Sequence, residues 1–302
     1  MSSILIWQVL MLIIAMVMLA HFAQHGLGEM RRSIRQFTIF MLDKAPVGMV
    51  DLFSNKTGSA SRNWMMFGAI WFTLAATIGF LKAWLLYDAT ALDSLASIGW
   101  EYNAETMSRL AEQSLFWGFL SMTFIGAGLH INARLCGDGK IGSEANASLV
   151  AFGWFGVTIL SMFLPFFIEM GHFENGLIWI LYSVLALAIV ANHLLTIGMR
   201  GDAPIIVPTW FILFGTVLFA AALFGMAQTE IAWSILADDL QIRELQWMCE
   251  RMINGWWPLS MILATCYYVI PKSTGNPIWS RTLTSTSLIL LFISVPVFGM
   301  GV

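Results

Sequence analysis

The side chains able to do chemistry are few, and most stand near the ends of apolar stretches. His21 and His25 are spaced i, i+4, which puts both imidazoles on one helical face and lets them share a metal. His130 and His193 lie toward the same end of their own stretches, so four of the five histidines can form a metal or heme site at one end of the spans. Boundary histidines satisfied by headgroups or neighbouring helices are the ordinary alternative, because no carboxylate or cysteine follows at a recognised ligand spacing. Glu112 opens one stretch, where a carboxylate suits the positive helix N-terminus. Glu250 and Arg251 open another, just ahead of Trp256 and Trp257. Glu169 and His172 close a third, and Lys82 is placed to snorkel. Cys136, Cys249 and Cys266 are far apart in sequence, with no CxxC pair to suggest zinc or thiol redox chemistry. No nucleophile–base constellation and no phosphate-cradling loop is present, so spacing alone names no reaction.

The elements that must position these residues follow from composition. Of 302 residues, 58% are hydrophobic and 11% charged, and the mean hydropathy is +0.76. Soluble chains are nearer half apolar and a quarter charged. The balance excludes a soluble domain, disorder, collagen and a disulfide scaffold. Fourteen Trp and 22 Phe supply bulky membrane side chains. A net charge of −3 gives no reason to expect a nucleic-acid partner. A membrane-crossing helix needs about 20 mostly apolar residues. Eight stretches qualify, near 4–26, 64–87, 112–135, 147–170, 177–198, 206–227, 249–271 and 283–301, so the expected fold is all-α and polytopic. The first lacks a basic leader and a small-x-small cleavage site, and reads as a retained helix. Eleven of the 15 basic residues fall in alternate connections, among them Arg31, Arg32, Arg35, Arg134, Lys140 and Lys272. The positive-inside rule then predicts cytoplasmic basic loops and an external N-terminus. Acidic residues, including Asp88, Glu105, Glu174 and Glu230, fill the opposite connections.

Two connections are longer than turns. Residues 27–62 alternate apolar and basic positions at roughly helical spacing, which reads either as an interfacial amphipathic helix on an anionic leaflet or as a cytoplasmic linker. Residues 228–248 carry Trp233, Trp247 and four acids, and read as a solvated loop that can also dock a cationic partner.

The segment from Trp247 to Gly299 narrows the reading. Its block Tyr267-Tyr268-Val269-Ile270-Pro271-Lys272-Ser273-Thr274-Gly275-Asn276-Pro277-Ile278-Trp279-Ser280 resembles the YYxIPKxTGRPxYS linker of heme–copper oxidase subunit I, in its C-family (cbb-type) cytochrome c oxidases and the related nitric oxide reductases. Residues 63–88 resemble that family's first core helix, 108–119 (SRLAEQSLFWGF) its RPLHTxxVxFGF, and 202–211 the stretch before its fifth core helix. The resemblance covers about 240 residues. It implies a 63–302 bundle like the first seven core helices, preceded by an extra transmembrane helix and amphipathic segment at 1–62.

The resemblance also implies six ligating histidines, and the sequence has none of them. Without gaps, the low-spin heme ligand of the second helix falls on Ala111, and the first copper ligand falls on Arg251, between Glu250 and Met252. The copper His-His pair would fall on Gly301 and Val302, and the tenth-helix pair beyond them. A methyl group cannot ligate iron, and a guanidinium is a permanent cation with no lone pair to give copper. No histidine occurs from 194 to 302, so a register slip restores nothing.

The expected function is therefore a redox-silent structural or assembly subunit of a respiratory or electron-transfer complex in a bacterial inner membrane. No heme or copper is expected on this chain in the family's manner, and the partners are other membrane subunits and lipid. Arg251 with Glu250 or Glu112 is expected to fill the vestigial centre as an ion pair, since an unpartnered buried charge would be costly. Gly118, Ser121, Gly126 and Gly128 are expected to permit close helix approach. Two alternatives stand beside this reading. One is half of a split terminal oxidase or nitric oxide reductase completed by a second chain. The other is a heme-, metal- or quinone-binding protein using His21, His25, His130 or His193.

Overall fold

The computed structural model describes residues 16–17, 56–93, 103–235, 240–277 and 280–294. The expected span at 4–26 with His21 and His25, most of the 27–62 segment, and Gly301 and Val302 therefore lie outside the described residues. Every regular element among the described residues is helical. We number them α1 (Ser59–Tyr87), α2 (Ala104–Cys136), α3 (Glu144–Phe166, its last turn 3₁₀), α4 (His172–Gly198), α5 (Val207–Ile235), α6 (Leu240–Arg251), α7 (Trp257–Thr274) and α8 (Arg281–Ser294). The first five are long and apolar enough to cross a membrane, which makes this an integral membrane protein.

Local chemistry explains the boundaries. Asn103 caps α2, its Oδ1 accepting from the Thr106 amide at 2.7 Å, so the helix starts eight residues before its apolar stretch, with an amphipathic first segment, Ala104–Gln113. At the end of α1, the Asp88 carboxylate accepts from the Thr90 hydroxyl at 2.8 Å and the Thr90 amide at 3.0 Å. These bonds hold its pKa below the usual carboxylate range. Pro165 sits in the 3₁₀ turn that closes α3. The segment expected as a loop at 228–248 is mostly helix: α5 runs on to Ile235 and α6 begins at Leu240. Ile242, Leu245, Met248 and Cys249 recur at helical spacing and turn inward, which gives α6 an apolar stripe to bury.

Two helices widen into π turns, Ser114–Leu120 inside α2 and Met252–Trp256 between α6 and α7. The second immediately precedes Pro258, whose ring and missing N–H would otherwise disrupt a regular turn.

The bundle is held by close approach and by polar bonds at one end. Gly118 lies against the Trp71 ring, where a Cβ would collide with the indole. At Gly126 a Cβ would stand 3.0 Å from Trp64 Cβ, and the Gly126 carbonyl accepts from Ser61 Oγ at 2.8 Å. Gly118 and Gly126 thus bring α1 and α2 together within the chain, while Gly128 faces Met261 of α7 and Ile212 of α5. At the end carrying Arg134, Lys140 and Arg200, Asn192 of α4 clamps the turn before α3. Its Nδ2 donates to the Ser143 carbonyl at 2.9 Å and its Oδ1 accepts from the Ser143 amide at 3.3 Å. Asn192→Ala is expected to lower stability by about 1–3 kcal/mol, read as a lower thermal midpoint in detergent.

Candidate functional site

The interior is built from rings. Trp64 of α1, Trp117 of α2, Trp154 of α3, Tyr182 of α4, Phe219 of α5 and Trp257 of α7 form one connected aromatic core, with one ring from each helix. Phe219 and Trp257 stack at 4.0 Å with planes 11° apart, and Trp117 and Trp154 each approach Tyr182 to 4.9 Å. Trp64, Trp154, Tyr182, Phe219 and Trp257 are fully enclosed. Trp64 Nε1 donates to the Ala147 carbonyl at 2.9 Å, Trp154 Nε1 to the Trp117 carbonyl at 3.0 Å, and Tyr182 Oη to Thr158 at 3.1 Å. The indole N–H of Trp257 is buried with no hydrogen-bond partner.

Beside this core, toward the acidic end, lies a cavity of about 530 Å³ between α2, α4, α5 and the second π turn. Both π turns open into it, the first through Phe116 and Trp117, the second through Ile253 and Asn254. Glu112 and Glu250, 138 positions apart in sequence (250 − 112), stand on its wall. The contacts of the charged groups are local ones. Lys82 Nζ donates to Ser108 Oγ at 2.8 Å, and Ser108 Oγ donates to Glu112 at 3.0 Å. Gln246 Nε2 donates to Glu250 at 2.9 Å, and the Arg251 guanidinium lies 5.4 Å over the Trp247 ring. Ala111 packs partly buried against the core. Neither an Ala111 methyl group nor the Arg251 guanidinium has a lone pair to offer iron or copper.

The histidines separate. His193 is fully buried, and its Nδ1 is hydrogen-bonded to the Asn132 side-chain amide at 2.9 Å. His193 Nε2 and Asn132 Oδ1 have no partner. His130 lines a separate cavity of about 240 Å³ with Arg134 and Glu144, its ring 6.4 Å from that of Tyr268. His172, at the acidic end, bonds Glu230 at 2.7 Å. Among the described residues, no three His, Cys, Asp or Glu side chains converge to hold a metal.

Sequence reasoning missed Glu144. Its carboxylate is buried at the start of α3 and accepts from the Gly58 amide at 2.7 Å and the Ala60 amide at 2.9 Å, closing the N-terminus of α1. Nothing in the local sequence links Glu144 to Gly58. No protein-family model matches the chain, and no curated protein matches it.

Proposed function

We propose that this chain is a redox-silent structural or assembly subunit of a membrane electron-transfer complex, related to heme–copper oxidase subunit I but without its ligand set. The supporting observation is the six-ring core, in which every central helix contributes one aromatic side chain. A bundle whose interior is occupied by interlocked rings is built as a packed scaffold. Ala111 and Arg251, at the expected ligand positions, agree with that reading. On this proposal eight helices span a bacterial inner membrane, the N-terminus faces outward and the basic loops face the cytoplasm. The exposed apolar faces of α1 and α8, including Ile70, Phe80, Leu283 and Leu290, then meet lipid and partner helices.

The test is a reduced-minus-oxidised spectrum with metal analysis, on the chain purified alone and with its copurifying proteins in mild detergent. No cytochrome band or copper on the isolated chain, with cytochromes in the copurified assembly, is the expected result. A stoichiometric heme band on the isolated chain, or cytochrome-free preparations throughout, would overturn the proposal.

A further inference from the structure

From the walls of the 530 Å³ cavity at the acidic end, we infer that it binds a small arylalkyl ammonium, an organic cation with N–H donors and an aromatic body. The volume is in the range of small-molecule sites, about 300–1,000 Å³. One side is aromatic, with Phe116, Trp117 and Trp179, and the electron-rich faces of such rings attract a cation and pack an arene. The polar side carries acceptors as well as the donors of Arg109, Asn254 and Gln113. Glu112 and Glu250 contribute two carboxylates, and Gln113 Oε1 is buried with no hydrogen bond to accept. The lining cation, Arg109, has its guanidinium 5.9 Å over the Phe166 ring. Lys82 reaches Glu112 through the Ser108 hydroxyl. The charge of the lining is therefore −1, two carboxylates against one guanidinium.

The alternatives fit less well. A divalent metal held by protein side chains is less favoured, since no third His, Cys, Asp or Glu joins the two carboxylates among the described residues. An anion would face both glutamates. A purely apolar ligand would leave Gln113 Oε1 buried without a partner. An ammonium whose N–H groups reach Gln113 Oε1 and the carboxylates, with its ring against the indoles, satisfies both sides. The two π turns supply much of this wall, and such irregularities concentrate at functional sites. The inference does not rest on the redox-silent reading: it uses neither Ala111 nor Arg251, and of the six core rings only Trp117 reaches the cavity wall.

The experiment is equilibrium binding of radiolabelled 2-phenylethylammonium to the full chain in lipid nanodiscs, with empty nanodiscs subtracted. One saturable site per chain is expected, displaced by the unlabelled cation and not by the neutral isostere 2-phenylethanol. Glu112→Gln and Glu250→Gln should each weaken binding about tenfold. Both carboxylates are exposed, so both variants should keep the wild-type thermal midpoint. Glu230→Gln, at the same end but outside the cavity, should leave binding unchanged. Absence of saturable binding would overturn the inference. So would equal displacement by 2-phenylethanol, or wild-type affinity in the Glu112→Gln/Glu250→Gln double variant.

Discussion

Trp257→Ala should cost about 3–5 kcal/mol of stability, the usual range for emptying a fully buried aromatic site. Trp257 stacks on Phe219 at 4.0 Å and meets Phe116 and Phe124 edge-on at 6.1 and 5.8 Å. The substitution therefore strips contacts from α2 and α5 together. In a membrane the apolar surface gains little by leaving lipid, so helix association depends on this kind of packing. Trp257→Phe is the informative companion. It keeps a ring in the stack and removes an indole N–H that is buried without a partner. Its loss should stay below about 1.5 kcal/mol. Unfolding titrations in mixed micelles would measure both, and an Ala variant as stable as wild type would show that the stack does not hold the bundle.

Glu144→Ala should have the next largest effect, about 3 kcal/mol, because it removes the acceptor of two charge-assisted bonds at once. The Ala60 amide is buried and the Gly58 amide partly so, so neither is fully compensated by water. Glu144→Gln retains one oxygen and should fall between wild type and Glu144→Ala. The loss should be local in a way that Trp257→Ala is not. Hydrogen exchange should speed up in the first turn of α1, around Ala60, before the rest of the bundle opens. Unchanged protection there would remove Glu144 from its capping role.

The contrast between these residues shows what the sequence could reveal. The five long helices were legible because a crossing helix must be apolar over its whole length, and hydropathy reports that directly. The extension of α2 back to Ala104 was less visible, since its first segment is amphipathic and its signal is the Asn103 cap. Residues 228–248 were misread as a loop because two interfacial tryptophans and four acids obscured the stripe of Ile242, Leu245 and Met248. The stripe of small residues on α2 was legible as a contact face, though not that α1 would fill it at Gly118 and Gly126 and that α7 and α5 would meet it at Gly128. Glu112 and Glu250 stand out in sequence as charges at the ends of apolar stretches, but the cavity they share depends on two π turns, which have no simple sequence signal. The pairs Asn132–His193 and Glu144–Gly58 join residues 61 and 86 positions apart. Local pattern carries no information about such partners.

The Glu144 cap has a consequence for biogenesis. Its acceptor atoms belong to a residue 84 positions after the Ala60 amide they bind. At about 5–20 residues per second, α1 leaves the ribosome roughly 4–17 s before Glu144 does. Through that interval the start of α1 has no side chain from α3 to close it. The nascent α1–α2 pair can associate through Gly118 and Gly126 as soon as both are made. Its anchoring at the Gly58 end must wait for α3. Ribosome-bound chains stalled before and after Glu144 emerges should therefore differ in protease sensitivity at Gly58. The late-made helix is what fixes the position of the early one.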